Sequence, residues 1–254
     1  MGSMENGFGL ALLAGVLAAP AGAGGKSDLA RRLESLHAPA PAAVSLRLDL
    51  RLERTVHGKT AKAEASFHVD VEEGPAGLRV LWEPDLLRQA NEEERAHDGD
   101  AQRLTPLRDG LKELDPARIG HLLDQAGSLA GLTKGDLVEE AAEAFAGKEA
   151  RRLVFRFSPR LSWTEQYYLR RSEGRFTVWV AADGTPLASA SEASFEGKTS
   201  RTFGRFKGLA TIRTRYAVDG GRLRVAERDT EETNSRDDGS EAEHVSLHFV
   251  LEPR

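Results

Sequence analysis

The stretch VSLRLDLRLE at residues 44–53 alternates strictly between apolar and polar side chains. Successive residues of a β-strand point to opposite faces, so Leu46, Leu48 and Leu50 share one face while charged residues occupy the other. An antiparallel strand of this kind has one buried face and one in water. The stretch therefore predicts a sheet with a single apolar side.

The sequence that follows extends this strand into a meander. His57-Gly58-Lys59 reads as a turn, a second alternating run continues to Glu73, and a third strand is predicted at residues 77–82. Connections of a few residues cannot make a parallel crossover. The three strands are therefore predicted to be antiparallel.

Between residues 84 and 150 the apolar period changes from two to about 3.6, which predicts a helical insertion. Asp115-Pro116 supplies an N-cap followed by proline at the first helical position. A further helix is predicted to open near Thr133 and to stop at Gly147.

Seven more strands are predicted after the insertion, with Ser172-Glu173-Gly174 and three Asp-Gly or Gly-Gly sequences as turns. They cover residues 152–157, 165–171, 175–180, 186–195, 199–216, 222–232 and 244–251. Tight hairpin turns imply that the order of these strands in the sheet follows their order in the sequence. The predicted total is about ten strands.

A one-sided sheet of about ten strands must cover its apolar face, and the helices are the available cover. We therefore expect an α+β fold. It consists of a large antiparallel meander sheet curled into an incomplete, half-open β-barrel, with the helical insertion covering or plugging the concave face. Residues 43–254 are predicted to form one domain, because all-β domains often run to ~200–250 residues as a unit.

The composition excludes several classes of function. The 254-residue chain has a net charge of −5, so it lacks the global positive charge of an electrostatic nucleic-acid binder. Cysteine is absent, which removes disulfides, thiolate metal sites, cysteine nucleophiles and a lipid-modified cysteine. Because of the negative net charge, no nucleic-acid partner is expected.

The N-terminal sequence predicts an export signal. An apolar, uncharged run covers residues 8–19 and precedes Ala21-Gly22-Ala23, a small-residue pattern that predicts cleavage after Ala23. The alternative is a buried Ala/Leu helix, because the first residues lack Lys and Arg. The run is shorter than the ~20 residues of a membrane span, so peripheral membrane contact at most is expected. The predicted location is the periplasm or the extracellular space.

Residues 24–42 are predicted to form a short helix and a linker. Leu29, Leu33 and Leu36 recur at helical spacing, and a Pro/Ala-rich segment follows them. Each proline fixes its own φ and biases the preceding residue away from helix. The linker is therefore expected to be extended.

The nine-residue phrase WVAADGTPL, from Trp179 to Leu187, carries a family resemblance. Together with the order of the predicted elements, it resembles the LolA/LolB-type periplasmic lipoprotein carriers, in which a phrase of the form WV…D-G-x-P is common. The resemblance implies a half-closed barrel whose hydrophobic cavity holds acyl chains. LolB itself is a lipoprotein, and the missing cysteine argues against that branch.

The leading functional hypothesis is a non-enzymatic periplasmic binding or carrier protein for a lipophilic ligand, of acyl or lipoprotein type. Seven inward apolar residues are predicted to line its cavity: Leu48, Leu50, Phe67, Val69, Trp82, Phe176 and Val178. An identical set would describe a dry core. The pattern of alternation does not separate the two.

The alternative hypothesis is a cell-envelope structural or assembly module that binds a protein partner through a sheet edge or a basic strip. The basic strip consists of Lys198, Arg201, Arg205, Lys207, Arg213 and Arg215. Such a strip can contact anionic head groups or an acidic partner. It can equally be a solvated strand face whose charges are paired internally.

No combination of residues specifies an enzyme, and no metal or cofactor is predicted. His244 and His248 share a strand face but stand roughly 13 Å apart at ~3.3 Å per residue, too far to share a metal ion. The Gly-x-Ser-x-Gly motif of a serine nucleophile does not occur. The carboxylates of residues 227, 229 and 231 are predicted to pair with Arg213 and Arg215 across neighbouring strands.

Overall fold

The computed structural model describes residues 24–37, 42–98, 103–157, 169–200 and 204–254. The predicted signal peptide, most of the Pro/Ala segment and Arg201 lie outside these ranges. None of the helices in the described ranges is long and apolar enough to cross a membrane.

The described residues form five helices and ten strands. The helices are α1 (Gly24–Glu34), α2 (Pro84–Asp98), α3 (Pro106–Glu113), α4 (Pro116–Leu123) and α5 (Ala126–Leu132). The strands are β1 (Ala43–Val56), β2 (Lys59–Gly74), β3 (Gly77–Leu81), β4 (Asp136–Phe145), β5 (Lys148–Phe157), β6 (Leu169–Val180), β7 (Pro186–Ser200), β8 (Gly204–Asp219), β9 (Arg222–Arg236) and β10 (Glu241–Pro253). The prediction of a sheet-rich α+β protein is confirmed.

All ten strands belong to one antiparallel sheet in the order β3-β2-β1-β10-β9-β8-β7-β6-β5-β4. Each meander follows the sequence order, as predicted. The first and last strands join the two meanders, with Leu48 opposite Phe249. The Arg254 N–H donates to the Ala43 carbonyl at 3.0 Å, so the pairing reaches the end of both strands. The sheet is not closed, and β3 and β4 are its two edges.

The helix predicted from Thr133 to Gly147 is wrong, because this segment forms the first strand and the turn of a β-hairpin. Strands β4 and β5 pair from Asp136 opposite Arg156 to Phe145 opposite Lys148. Ala146 and Gly147 connect them with positive φ angles of 49° and 77°, as a two-residue hairpin turn requires. The Ala/Glu-rich sequence has good helix propensity, but strand pairing overrides such a weak preference.

The turn predicted at Ser172-Glu173-Gly174 is also wrong. These residues lie within β6, a continuous strand paired with β7 on one side and β5 on the other. Gly174 is buried because the Phe157 ring lies over it; an added Cβ would stand 2.5 Å from Phe157 Cζ. The glycine therefore serves close packing rather than a turn.

The helices pack against one face of the sheet, which we call the inner face. It carries Leu48 and Phe249, whereas the outer face carries Asp49 and His248. One hydrophobic cluster joins β1, β2, β9 and β10 to buried residues of α4 and of the chain around α3, among them Leu104, Leu114, Ile119 and Leu123. A second cluster joins β5, β6 and the start of β9 to Leu29 and Leu33 of α1 and to Ala126 and Leu129 of α5.

Helix α1 is anchored by the turn within the phrase WVAADGTPL. Asp183 accepts hydrogen bonds from the Thr185 backbone N–H and hydroxyl, both at 2.9 Å, and these lower the pKa of Asp183. Thr185 Oγ1 accepts from Arg32 Nε of α1 at 2.8 Å. Gly184, with φ +83°, lies so close to α1 that an added Cβ would stand 2.6 Å from the Asp28 carbonyl oxygen. The phrase thus forms a docking site for the N-terminal helix.

Candidate ligand-binding cleft

The residues predicted to line one cavity lie in two separate packed clusters. Leu48, Leu50, Phe67 and Val69 are buried in the first cluster, with Trp82 packed against it, and Phe176 and Val178 are buried in the second. Among these seven, Leu50 also lines an open cleft on the inner face. The structure therefore has an open space beside the first cluster, and not one cavity lined by residues of both clusters.

This cleft has a volume of about 620 Å³, within the range of small-molecule sites. Helices α3 and α4 bound it on one side, and β1, β8, β9 and β10 form its floor. The apolar residues that line it are Leu50, Leu52, Leu122, Ile212, Val245, Leu247 and Phe249. A lipophilic group can therefore contact apolar side chains from three strands and one helix.

Arg228 introduces a charge into the inner face. Its neighbours across the strands are Phe249 of β10 and Thr214 of β8. The guanidinium donates from Nε to Thr214 Oγ1 at 3.2 Å and from Nη2 to Gln125 Oε1 at 2.8 Å. Burial lowers the pKa of Arg228, although arginine stays charged at neutral pH. Both hydrogen-bond acceptors are neutral.

Gln125 is held in place by its own contacts. Only 4% of the residue is exposed, in the connection between α4 and α5. Its backbone N–H donates to the Leu223 carbonyl at 2.8 Å, and its side-chain amide donates to the His121 carbonyl. Gln125 Oε1 is thereby directed at Arg228 and fixes one arm of the guanidinium.

Tyr216 adds a second half-buried polar group near Arg228. Its hydroxyl lies 2.6 Å from Ser189 Oγ. Burial raises the pKa of Tyr216, so the phenol is neutral at physiological pH. Tyr216 therefore does not supply a negative charge to balance Arg228.

Other cations at the cleft are paired. Arg54 contacts Glu243 at 2.8 Å, Lys112 contacts Asp109 at 2.9 Å, and Arg118 contacts Glu113. Arg228 has no carboxylate within ion-pair distance in the described part of the chain. The cleft thus combines an apolar floor, ion pairs at its rim and one half-buried cation without a carboxylate partner among the described residues.

A second groove of about 570 Å³ continues from the cleft along the inner face. The two spaces share Arg54 and Glu243. Phe195 and Phe206 line the second groove with ring centroids 6.3 Å apart, in an edge-to-face arrangement. Gly208 makes room for the Phe195 ring, because a Cβ there would stand 2.1 Å from Phe195 Cζ.

The described members of the basic strip lie on the opposite side of the sheet. Lys198, Arg205, Lys207, Arg213 and Arg215 occupy outer-face positions of β7 and β8. Several have acidic neighbours across the strands: Arg215 pairs with Glu227, Lys207 stands opposite Glu196, and Arg213 stands opposite Asp229. The predicted cross-strand pairing is thus confirmed for Arg215 and Glu227.

The outer face also brings Glu227, Asp229 and His248 together, with one possible ligand atom of each within 4.8 Å of the others. These groups already contact protein partners: His248 Nδ1 lies 2.7 Å from Asp229 Oδ1, and Arg215 pairs with Glu227. His244 Nε2 lies 2.6 Å from Glu231 Oε2, so each histidine has its own carboxylate. These side chains are therefore engaged in pairs with residues on neighbouring strands.

No family model and no curated protein matches the sequence. Among solved structures, the chain is similar to a crystal structure of a DUF1329 family protein from Desulfovibrio piger. The two share 13% sequence identity over 89% of this chain and 92% of that chain, with a TM-score of 0.24. At this TM-score the likeness carries no argument about fold or function.

Proposed function

We propose that this protein is an exported, non-enzymatic binding or carrier protein that holds a lipophilic ligand, of acyl or lipoprotein type, on the inner face of its half-open sheet. The observation that carries the proposal is the cleft of about 620 Å³, with its apolar floor, and its continuation past Phe195 and Phe206. A sheet packed only as a core has no need of such a space. The resemblance of WVAADGTPL to LolA/LolB-type carriers and the export signal predicted at residues 1–23 agree with it.

Native mass spectrometry of the protein purified under non-denaturing conditions tests this function directly. A co-purifying lipophilic mass, released by organic extraction and identified by its fragments, is the expected result. A clean protein mass, together with no binding of the lipophilic fluorophore N-phenyl-1-naphthylamine, would contradict the carrier function.

Filling the cleft should abolish this binding. Ile212 is partly exposed and lines the cleft from β8, so Ile212→Trp places a large ring where the ligand would lie. We expect the affinity for N-phenyl-1-naphthylamine to fall about 10-fold or more. Fluorescence titration measures the loss, and circular dichroism confirms that the variant is folded.

The matched control is Thr211→Trp. Thr211 is the preceding residue of β8 and points to the outer face, opposite Glu231. The same ring added there should leave the affinity unchanged. Equal losses of affinity in the two variants would show that the ligand does not bind on the inner face.

A second candidate function is a cell-envelope module that binds a protein partner by strand addition. The supporting observation is the open edge strand β4, where Val138 is 48% exposed. Glu139 and Glu143 of this strand pair with Arg152, and such charges on an edge discourage unselective strand addition. Protein that is folded and free of lipid in the experiments above would favour this second function.

A further inference from the structure

The position of Arg228 indicates what kind of ligand the cleft takes. A buried charge is costly unless a counter-charge or several hydrogen bonds compensate it. Arg228 bonds two neutral oxygens, of Thr214 and Gln125, through Nε and Nη2. Nη1 has no hydrogen-bond partner among the described residues. One nitrogen of a half-buried guanidinium that lines the cleft therefore remains available.

The surrounding acids do not supply the missing charge. Asp109, Glu113 and Glu243 are each engaged with another cation at the rim. Glu232, the remaining carboxylate of the cleft, is exposed and lies four residues along β9 from Arg228, about 13 Å at ~3.3 Å per residue. The part of the cleft around Arg228 thus carries one positive charge without a carboxylate partner among the described residues.

The apolar floor begins next to this charge. Phe249 stands directly across from Arg228, and the next inward positions are Leu247 and Leu50, which face each other on β10 and β1. Beyond them the inner face continues through Leu52 and Val245 toward the second groove. A molecule with one anionic end and a long apolar tail matches this succession of side chains.

We propose that the cleft binds a long-chain carboxylate and that Arg228 holds its head group through Nη1. This inference rests on the proposed carrier function and names its ligand class. A single unpaired cation balances a single negative charge. With two of its three nitrogens already engaged, Arg228 suits a compact carboxylate better than a phosphate, which carries more charge and needs more donors. Gln125 is a positioning residue, because it orients the guanidinium without facing the ligand charge.

Calorimetric titration with dodecanoate and with dodecan-1-ol tests the proposal, because the two ligands share a tail and differ in charge. The protein should bind dodecanoate more tightly. Arg228→Gln should weaken dodecanoate binding about 10- to 100-fold, the size of one charge-assisted hydrogen bond, and leave dodecan-1-ol binding unchanged. Arg228→Lys should restore part of the preference because it restores the charge.

The control is Arg47→Gln, which removes the same charge from the outer face of β1, where Arg47 contacts Asp49. It should leave both affinities unchanged. Equal binding of the two ligands by the wild type, or an equal loss of both in Arg228→Gln, would overturn the head-group assignment and leave the carrier function intact. Tighter binding of dodecyl phosphate than of dodecanoate would overturn the choice of carboxylate. Failure of the wild type to bind any of the three would contradict the carrier function itself.

Discussion

Gly184→Ala is expected to lower the free energy of unfolding by about 3–4 kcal/mol, near the upper end of single-residue effects. The left-handed backbone at φ +83° accounts for ~1–2 kcal/mol of this loss. The remainder arises because the new Cβ would stand 2.6 Å from the Asp28 carbonyl oxygen and 2.7 Å from its carbon. These are backbone atoms of α1, so the helix must shift to relieve the contact. Urea unfolding followed by circular dichroism measures the change.

Gly147→Ala is the control for this prediction. Gly147 also has a positive φ, of 77°, but an added Cβ would meet no atom within 4 Å. Only the cost of the left-handed backbone conformation applies, so the free energy of unfolding is expected to fall by about 1–2 kcal/mol. The difference between the two variants measures the contact between α1 and the Asp183-Gly184 turn. Equal losses would show that this contact does not stabilise the fold.

Phe155→Ala is expected to cost about 3–5 kcal/mol, the usual cost of removing a fully buried phenylalanine. Phe155 is 0% exposed, and its ring packs against Phe176 with centroids 6.3 Å apart. Lys26 Nζ of α1 lies 5.5 Å from the same ring. The substitution therefore opens a cavity between β5, β6 and the N-terminal helix. Denaturant unfolding should show a lower midpoint with a similar slope.

Phe145→Ala provides the comparison. Phe145 stacks on Trp179 with centroids 5.5 Å apart and an interplanar angle of 36°, close to the 35° of the buried pair. Phe145 is only partly buried, so little new cavity forms and a loss of about 1 kcal/mol is expected. Similar losses in both variants would mean that ring contact, rather than burial, determines the stability of these pairs.

The strands could be predicted where burial itself is periodic. Residues 44–52 alternate in sequence and equally in burial, from Val44 to Leu52. Strand β4 lacks this signal, because it is an edge strand whose half-buried residues, Leu137, Glu140, Ala141 and Phe145, do not alternate. Its conformation depends on pairing with β5, which the periodicity of β4 alone does not contain. The pairing of β1 with β10 cannot be predicted from the alternation within either strand for the same reason.

The candidate cleft could be predicted only in part. Leu50 was identified from alternation, but Arg228 was not, because an irregularity in the ladder changes which residues face inward. Arg215 pairs with Glu227 and the next residue, Tyr216, pairs with Val225, so Ala226 is an extra residue in β9. Leu223 and Val225 point inward before it, and even-numbered residues from Arg228 point inward after it. Alternation counted on from Leu223 and Val225, without the extra residue, would instead put Arg228 on the outer face.

The phrase WVAADGTPL illustrates a different limit. The sequence identifies Asp183-Gly184 as a hairpin turn, and the structure has a turn there. Local sequence does not reveal that Thr185 and Gly184 also hold α1, which is about 150 residues away in the chain. The contact between this turn and a distant helix is part of the tertiary structure. It explains why a Cβ added at Gly184 would meet backbone atoms rather than open space.

The adjacency of β1 and β10 determines the order in which the chain can fold. Leu48 and Phe249 pair across roughly 200 residues, so β1 and β10 can join only after β10 has been synthesised. Until β10 arrives, β1 and β9 each present an unpaired edge of thirteen or more residues. A chain that stops short of residue 241 would leave both edges open to other chains. We therefore expect newly made protein to be most prone to aggregation before β10 is available.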